Sequence, residues 1–105
     1  MGSQEDEYAR VTRLLERDIV VTVGEAHRNV VHQRAAEVRT LEVGDLEAKL
    51  VDDVQQILHD THVDTTWPTC PRHHRHPLWY RDGGWWCEQL GEQVFPLGAL
   101  PPATL

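Results

Sequence analysis

No run of apolar residues approaches the ~20 that a helix needs to cross a bilayer, and no tract of biased composition points to a disordered or fibrous chain. The opening residues Met1-Gly2-Ser3-Gln4-Glu5-Asp6-Glu7 are acidic where a secretory signal would be basic and then apolar, so the chain reads as cytoplasmic. Positive charge is scarce: 10 Lys and Arg stand against 17 Asp and Glu. An acidic surface repels phosphate backbones and anionic headgroups, which sets both nucleic acid and membranes aside as default partners. No Gly-rich phosphate loop and no pair of acids foreshadows a substrate pocket. Cysteine is scarce too, at two, and both fall within one short window.

What remains is an ordinary globular composition, 40% apolar and 26% charged over 105 residues, enough for one small domain and an appended module. The charge is uneven. Residues 1–66 carry 14 acidic and 7 basic side chains, whereas residues 67–105 carry 3 of each.

Apolar residues at Tyr8, Val11, Leu14 and Leu15 keep helical spacing, with Glu5, Asp6 and Glu7 placed to complement a helix N-terminus, so a first helix is predicted over Asp6 to Arg17. Ile19-Val20-Val21-Thr22-Val23, closed by Gly24, reads as a strand because branched Cβ atoms suit a pleated surface. Residues 25–43 keep helical spacing at Val31, Ala35 and Val38 yet end in the strand-forming run Val38 to Val43, and strands are the favoured reading. The clearest element is an amphipathic helix from Leu46 to His59, capped by Asp45 and buried through Leu46, Leu50, Val54, Ile57 and Leu58. Beyond it, the proline-rich loop from Trp67 to Pro77 leads into two short strands, Leu78 to Arg81 and Trp85 to Cys87, around the turn Asp82-Gly83-Gly84, with a third predicted at Gln93-Val94-Phe95. The expected fold class is α+β: a small α+β domain over 1–66, a metal-stapled β-hairpin module over 67–100 and a fraying tail over 101–105.

Both cysteines and three of the seven histidines lie within the 18 residues from Cys70 to Cys87. Zinc takes four nitrogen and sulfur ligands in a tetrahedron, commonly two from a tight turn and one returned by a hairpin. Cys70 and His73, with two residues between them, fit the turn, and the glycine turn carries Cys87 back toward it. Pro71 and Pro77 restrict the backbone beside Cys70 and His76, which lowers the entropy lost on metal binding. His74 competes for either histidine position, and a Cys70 to Cys87 disulfide is the alternative link, disfavoured where thiols are kept reduced.

The segment Trp67-Pro68-x-Cys70-Pro71-x-His73-x-x-His76-Pro77-Leu78, followed by Trp86-Cys87, Gly91 and Leu97-Gly98-x-Leu100, resembles a C-terminal zinc-ribbon-like segment of small, mostly uncharacterised actinobacterial proteins. The resemblance implies that Cys70, His73, His76 and Cys87 are the metal ligands and that strands followed by a helix precede them. It implies no activity, and it departs from the pattern where Glu88 replaces a proline after Cys87.

Two thiolates and two imidazoles close a zinc coordination sphere and blunt its Lewis acidity, which favours a structural over a hydrolytic zinc. A nucleobase deaminase would need His-x-Glu upstream, and the chain has none. The reading is therefore a non-enzymatic zinc protein acting as an adaptor or scaffold for another protein, with Trp79, Trp85 and Trp86 as the candidate surface. If Trp85 and Trp86 alternate across a strand, only one of them faces outward. The rivals are a nucleic-acid module using Arg72, Arg75 and Arg81 beside the tryptophans, and a zinc hydrolase. His27, His32, His59 and His62 share no ligand spacing and read as ordinary surface or helix-end residues.

Overall fold

The computed structural model describes residues 3–41, 44–61, 66–73 and 75–102 and has α+β architecture. Three helices, α1 (Ser3–Thr22), α2 (Arg28–Val38) and α3 (Leu46–Asp60), precede a sheet of β1 (Trp79–Arg81), β2 (Gly84–Cys87) and β3 (Glu92–Pro96). The sheet is antiparallel in the order β1-β2-β3. The strands expected between Ile19 and Val43 are not strands among the described residues. Ile19 to Thr22 is the last turn of α1, and residues 28–38 are helix; Glu42 and Val43 lie outside the described residues.

The reason is phase. Tyr8, Val11, Leu15 and Ile19 recur at helical intervals and are all buried, so continuing α1 places Ile19 in the core. Burying a side chain of that size contributes roughly 1.5 to 3 kcal/mol, whereas the preference of a β-branched residue against helix is below about 0.7 kcal/mol. Gly24, at φ 112°, ends the run in a backbone conformation that a Cβ would oppose. In α2 the buried residues are Val31, Ala35 and Val38, the helical set rather than the alternating one.

The third helix forms where expected, one residue longer. Asp45 is its N-cap, with Oδ1 accepting from the Ala48 amide at 3.0 Å. Its buried face is Leu50, Val51, Val54, Gln55 and Leu58, with Leu46 and Ile57 only half-buried.

The hairpin turn is the two residues Asp82 and Gly83, both at positive φ (47° and 81°), the combination that matches the twist of paired strands. Trp79 faces Trp86, Tyr80 faces Trp85 and Arg81 faces Gly84 across β1 and β2. Between β2 and β3 the register slips, pairing Trp85 with Phe95 but Trp86 with Gln93, so Val94 is a bulge.

A single hydrophobic core runs through both parts of the chain, joining Leu15, Ile19, Leu50 and Leu58 to Trp67, Cys70, Leu78, Trp85 and Cys87. Two buried polar residues fasten it. Asp18, fully buried on α1, accepts four hydrogen bonds: from Trp85 Nε1 at 3.0 Å, the Gly98 amide at 2.7 Å, the Leu100 amide at 3.1 Å and Arg17 Nη1 at 3.0 Å. Gln55 on α3 donates from Nε2 to the carbonyls of Trp67 at 3.1 Å and Leu78 at 2.7 Å, gripping both ends of the proline-rich loop. Gly98 must be glycine, because at φ 89° an added Cβ would sit 2.5 Å from Leu14 Cδ2.

Candidate metal centre

The proline-rich segment ahead of β1 is pinned together between Thr69 and Pro77. Thr69 and Pro77 form an antiparallel bridge, the Cys70 amide donates to the His76 carbonyl at 3.1 Å, and the His76 amide donates to the His73 carbonyl at 2.8 Å. The Trp67–Pro68 peptide is cis. Below the loop, the Leu78 amide donates to the Pro68 carbonyl at 2.6 Å, and His59 Nε2 donates to the Trp67 carbonyl at 2.7 Å. A proline-rich segment has few amides with which to build regular structure. Side chains from α3 supply what is missing at its two ends, Gln55 and His59 at the Trp67 carbonyl and Gln55 at the Leu78 carbonyl.

This frame holds Cys70 above the end of β2, where Cys87 arrives on the inward-facing side of the strand. His73 Nδ1 lies 3.6 Å from Cys70 Sγ and 3.3 Å from Cys87 Sγ. The two sulfurs and the imidazole are within 4.8 Å of one another, and Cys70 and Cys87 are 0% and 2% exposed as free thiols. A tetrahedral ion bound about 2.3 Å from sulfur and about 2.0 Å from nitrogen holds such ligands about 3.5 Å apart. The two sulfur–nitrogen separations match, so Cys70, His73 and Cys87 form a group able to hold a metal ion.

His76 is placed differently. Its side chain is exposed, with its ring 6.4 Å from that of His73, and it lies outside the close group of described residues. His74, the rival for either histidine position, and His62 lie outside the described residues.

The tryptophans divide by face. Trp85 is 0% exposed, packed edge-on against Trp67 at 5.4 Å and Tyr80 at 6.2 Å, so it belongs to the core and to no contact surface. Trp79, 40% exposed, and half-buried Trp86 stand opposite each other on the outer face, with the Arg81 guanidinium 5.0 Å above the Trp86 ring. Strand alternation, expected from the sequence, made that division.

Away from the metal group, a shallow cleft of about 330 Å³ lies between α1, the start of α3 and the hairpin turn, lined by Glu7, Asp45, Glu47, Asp82 and Tyr80 among others. It does not reach Cys70, His73 or Cys87. Burial raises the Tyr80 phenol above its ordinary value of 10.0, and the charges of Asp45 and Glu47 raise it further, against smaller lowering effects from the Gly83 backbone and Arg10. Tyr8 is raised chiefly by burial, its hydroxyl donating to the Ala35 carbonyl at 2.7 Å. These are the only two tyrosines. The folded protein therefore keeps both phenolic protons longer than the unfolded chain does. That contribution to stability is complete below pH 10 and is lost as pH rises through the folded-state values. Ultraviolet titration is expected to show both phenols ionising above the free-tyrosine range, with unfolding promoted at the alkaline end; ordinary titration of both would contradict the burial.

Sequence reasoning missed Asp18 and Gln55. A signal existed: each is a polar residue in the buried helical phase, Asp18 after Val11 and Leu15, Gln55 between Val51 and Leu58.

No protein family, curated protein or solved structure matches the chain in comparisons with each. No helix of the described residues is long and apolar enough to cross a membrane.

Proposed function

We propose that the protein is a small structural-zinc protein without catalytic activity, acting as an adaptor that presents the outer face of its sheet to another protein. The observation that carries this reading is the convergence of Cys70 Sγ, His73 Nδ1 and Cys87 Sγ at ligand spacing inside a buried corner of the core. Thiolate and imidazole are the donor set zinc prefers, and two thiolates suit a structural ion better than a Lewis acid. The fourth ligand is His76, brought in by a side-chain rotation on a loop whose backbone is already closed, with His74 as its substitute. A closed sphere leaves no position for a reacting water.

The adaptor role rests on Trp79 and Trp86, opposed on the outer face. Exposed aromatic residues with a nearby arginine are typical anchors of protein contacts. Arg81 is engaged on the Trp86 ring, which favours a protein partner over a phosphate backbone.

The test is metal analysis of the purified protein, with cobalt substitution to report the ligands. One equivalent of zinc is expected, together with a cobalt spectrum showing thiolate charge transfer. His76→Ala should weaken binding and alter that spectrum, and His74→Ala should do so instead if His74 is the fourth ligand. Failure of the reduced protein to take up an equivalent of zinc overturns the reading.

A further inference from the structure

The chain has only two thiols, and the fold stores them together. Cys70 and Cys87 are both free, and their sulfurs lie within 4.8 Å of each other, against one imidazole. Each is held by its own backbone frame: the Cys70 amide donates to the His76 carbonyl, and the Cys87 carbonyl accepts from the Gly91 amide. Neither frame depends on a bound ion. Both thiols are buried, while their chain neighbours Pro71 and Arg72 on one side and Glu88, Gln89 and Leu90 on the other are exposed, so the pair is bordered by segments that face solvent.

We infer that Cys70 and Cys87 are a reversible oxidation site, closing into a disulfide under hydroperoxides and expelling the metal ion as they do so. The metal-release half rests on the zinc reading above; the disulfide half rests on sulfur proximity alone. In the first step one thiol attacks the terminal peroxide oxygen. A sulfur–oxygen bond forms, the oxygen–oxygen bond breaks, and the alcohol leaves with a proton, giving a sulfenic acid. The second thiol then attacks that sulfur, forming the sulfur–sulfur bond and releasing water. Two thiols and one hydroperoxide thus give one disulfide, one alcohol and one water, the peroxide being reduced by the two electrons that the sulfurs lose. From the metal-bound state the same balance takes up two protons and frees the divalent cation. The closure needs side-chain rotation to about 2.0 Å between sulfurs. It consumes two of the proposed metal ligands at once, because a disulfide sulfur has no thiolate charge to bind the ion.

The consequence is a site that exchanges one staple for another. Reduced and loaded, the proline-rich loop is tied to β2 through the ion; oxidised, it is tied by a covalent bond, with His73 set free.

The experiment treats full-length protein, zinc-loaded and separately zinc-stripped, with hydrogen peroxide, and follows thiol titre, chelator-detected zinc and intact mass. The expected result for loaded protein is loss of both thiols, loss of two hydrogens by mass, release of the bound zinc, and recovery of thiols and zinc binding after a dithiol reductant. Cys70→Ser, treated alike, should yield a sulfenic acid trapped by dimedone rather than an intramolecular crosslink. In stripped protein, thiols that overoxidise or dimerise between chains without forming the internal disulfide overturn the inference. Zinc-loaded protein that forms the disulfide yet retains its zinc also overturns it. Failure of the untreated reduced protein to take up zinc instead overturns the zinc reading, which keeps the two failures distinct.

Discussion

Cys70→Ser is expected to abolish stoichiometric zinc binding and to lower stability by more than about 3 kcal/mol in the presence of zinc. Two contributions are separable. A serine hydroxyl in that fully buried position costs about 1 to 3 kcal/mol with or without metal, since it has no assured partner. The rest is the linkage of metal binding to folding, which chelator removes from the native protein and leaves unchanged in the variant. Urea denaturation of both proteins with zinc and with chelator therefore gives a double comparison. The native protein should lose much of its stability on chelation while the variant loses little. Because Cys70 and Cys87 share one core with Leu15, Leu50 and Leu58, the loss should reach the helices as well as the sheet. Equal sensitivity of the two proteins to chelator would dismiss a stabilising ion at this position.

Asp18→Ala is expected to destabilise the protein by about 3 kcal/mol or more irrespective of metal, since leaving a buried donor without its acceptor costs about 1 to 3 kcal/mol and three donors lose theirs together. The substitution strands the Trp85 indole N–H and the Gly98 and Leu100 amides, all of which donate to the carboxylate. It also leaves Arg17 holding the Leu100 carbonyl alone. The near-ultraviolet circular dichroism of Trp85, fixed by that hydrogen bond and by Trp67, should weaken in the same variant. A change below about 1 kcal/mol would show that water substitutes for the carboxylate and that the C-terminal segment is not latched through it.

The third helix and all three strands were legible because local signals agreed: an aspartate cap ahead of an apolar stripe, and an Asp-Gly turn between aromatic runs. Residues 19–38 were misread because propensity and periodicity disagreed there, and propensity was given the greater weight. Val20 and Val21 are strand formers by type, but Ile19 is in phase with Leu15, and burial decided the matter. In the loop, clustering of cysteine and histidine pointed to the right stretch of chain. Spacing alone could not choose among His73, His74 and His76, since a turn of unknown backbone can aim any of them inward. Among the described residues, His73 faces the sulfurs and His76 is turned out.

By itself, the amino-acid sequence determined the α+β class, the amphipathic helix with its cap, the hairpin and the window holding any metal group, because each depends on residues near one another along the chain. Tertiary structure alone decided that Asp18 would accept from residues some 80 positions away, that Gln55 would brace the proline-rich loop, and that Trp85 rather than Trp86 would be buried. Those outcomes are set by which surfaces meet once the helices pack, and a buried donor or acceptor acquires its partner only then.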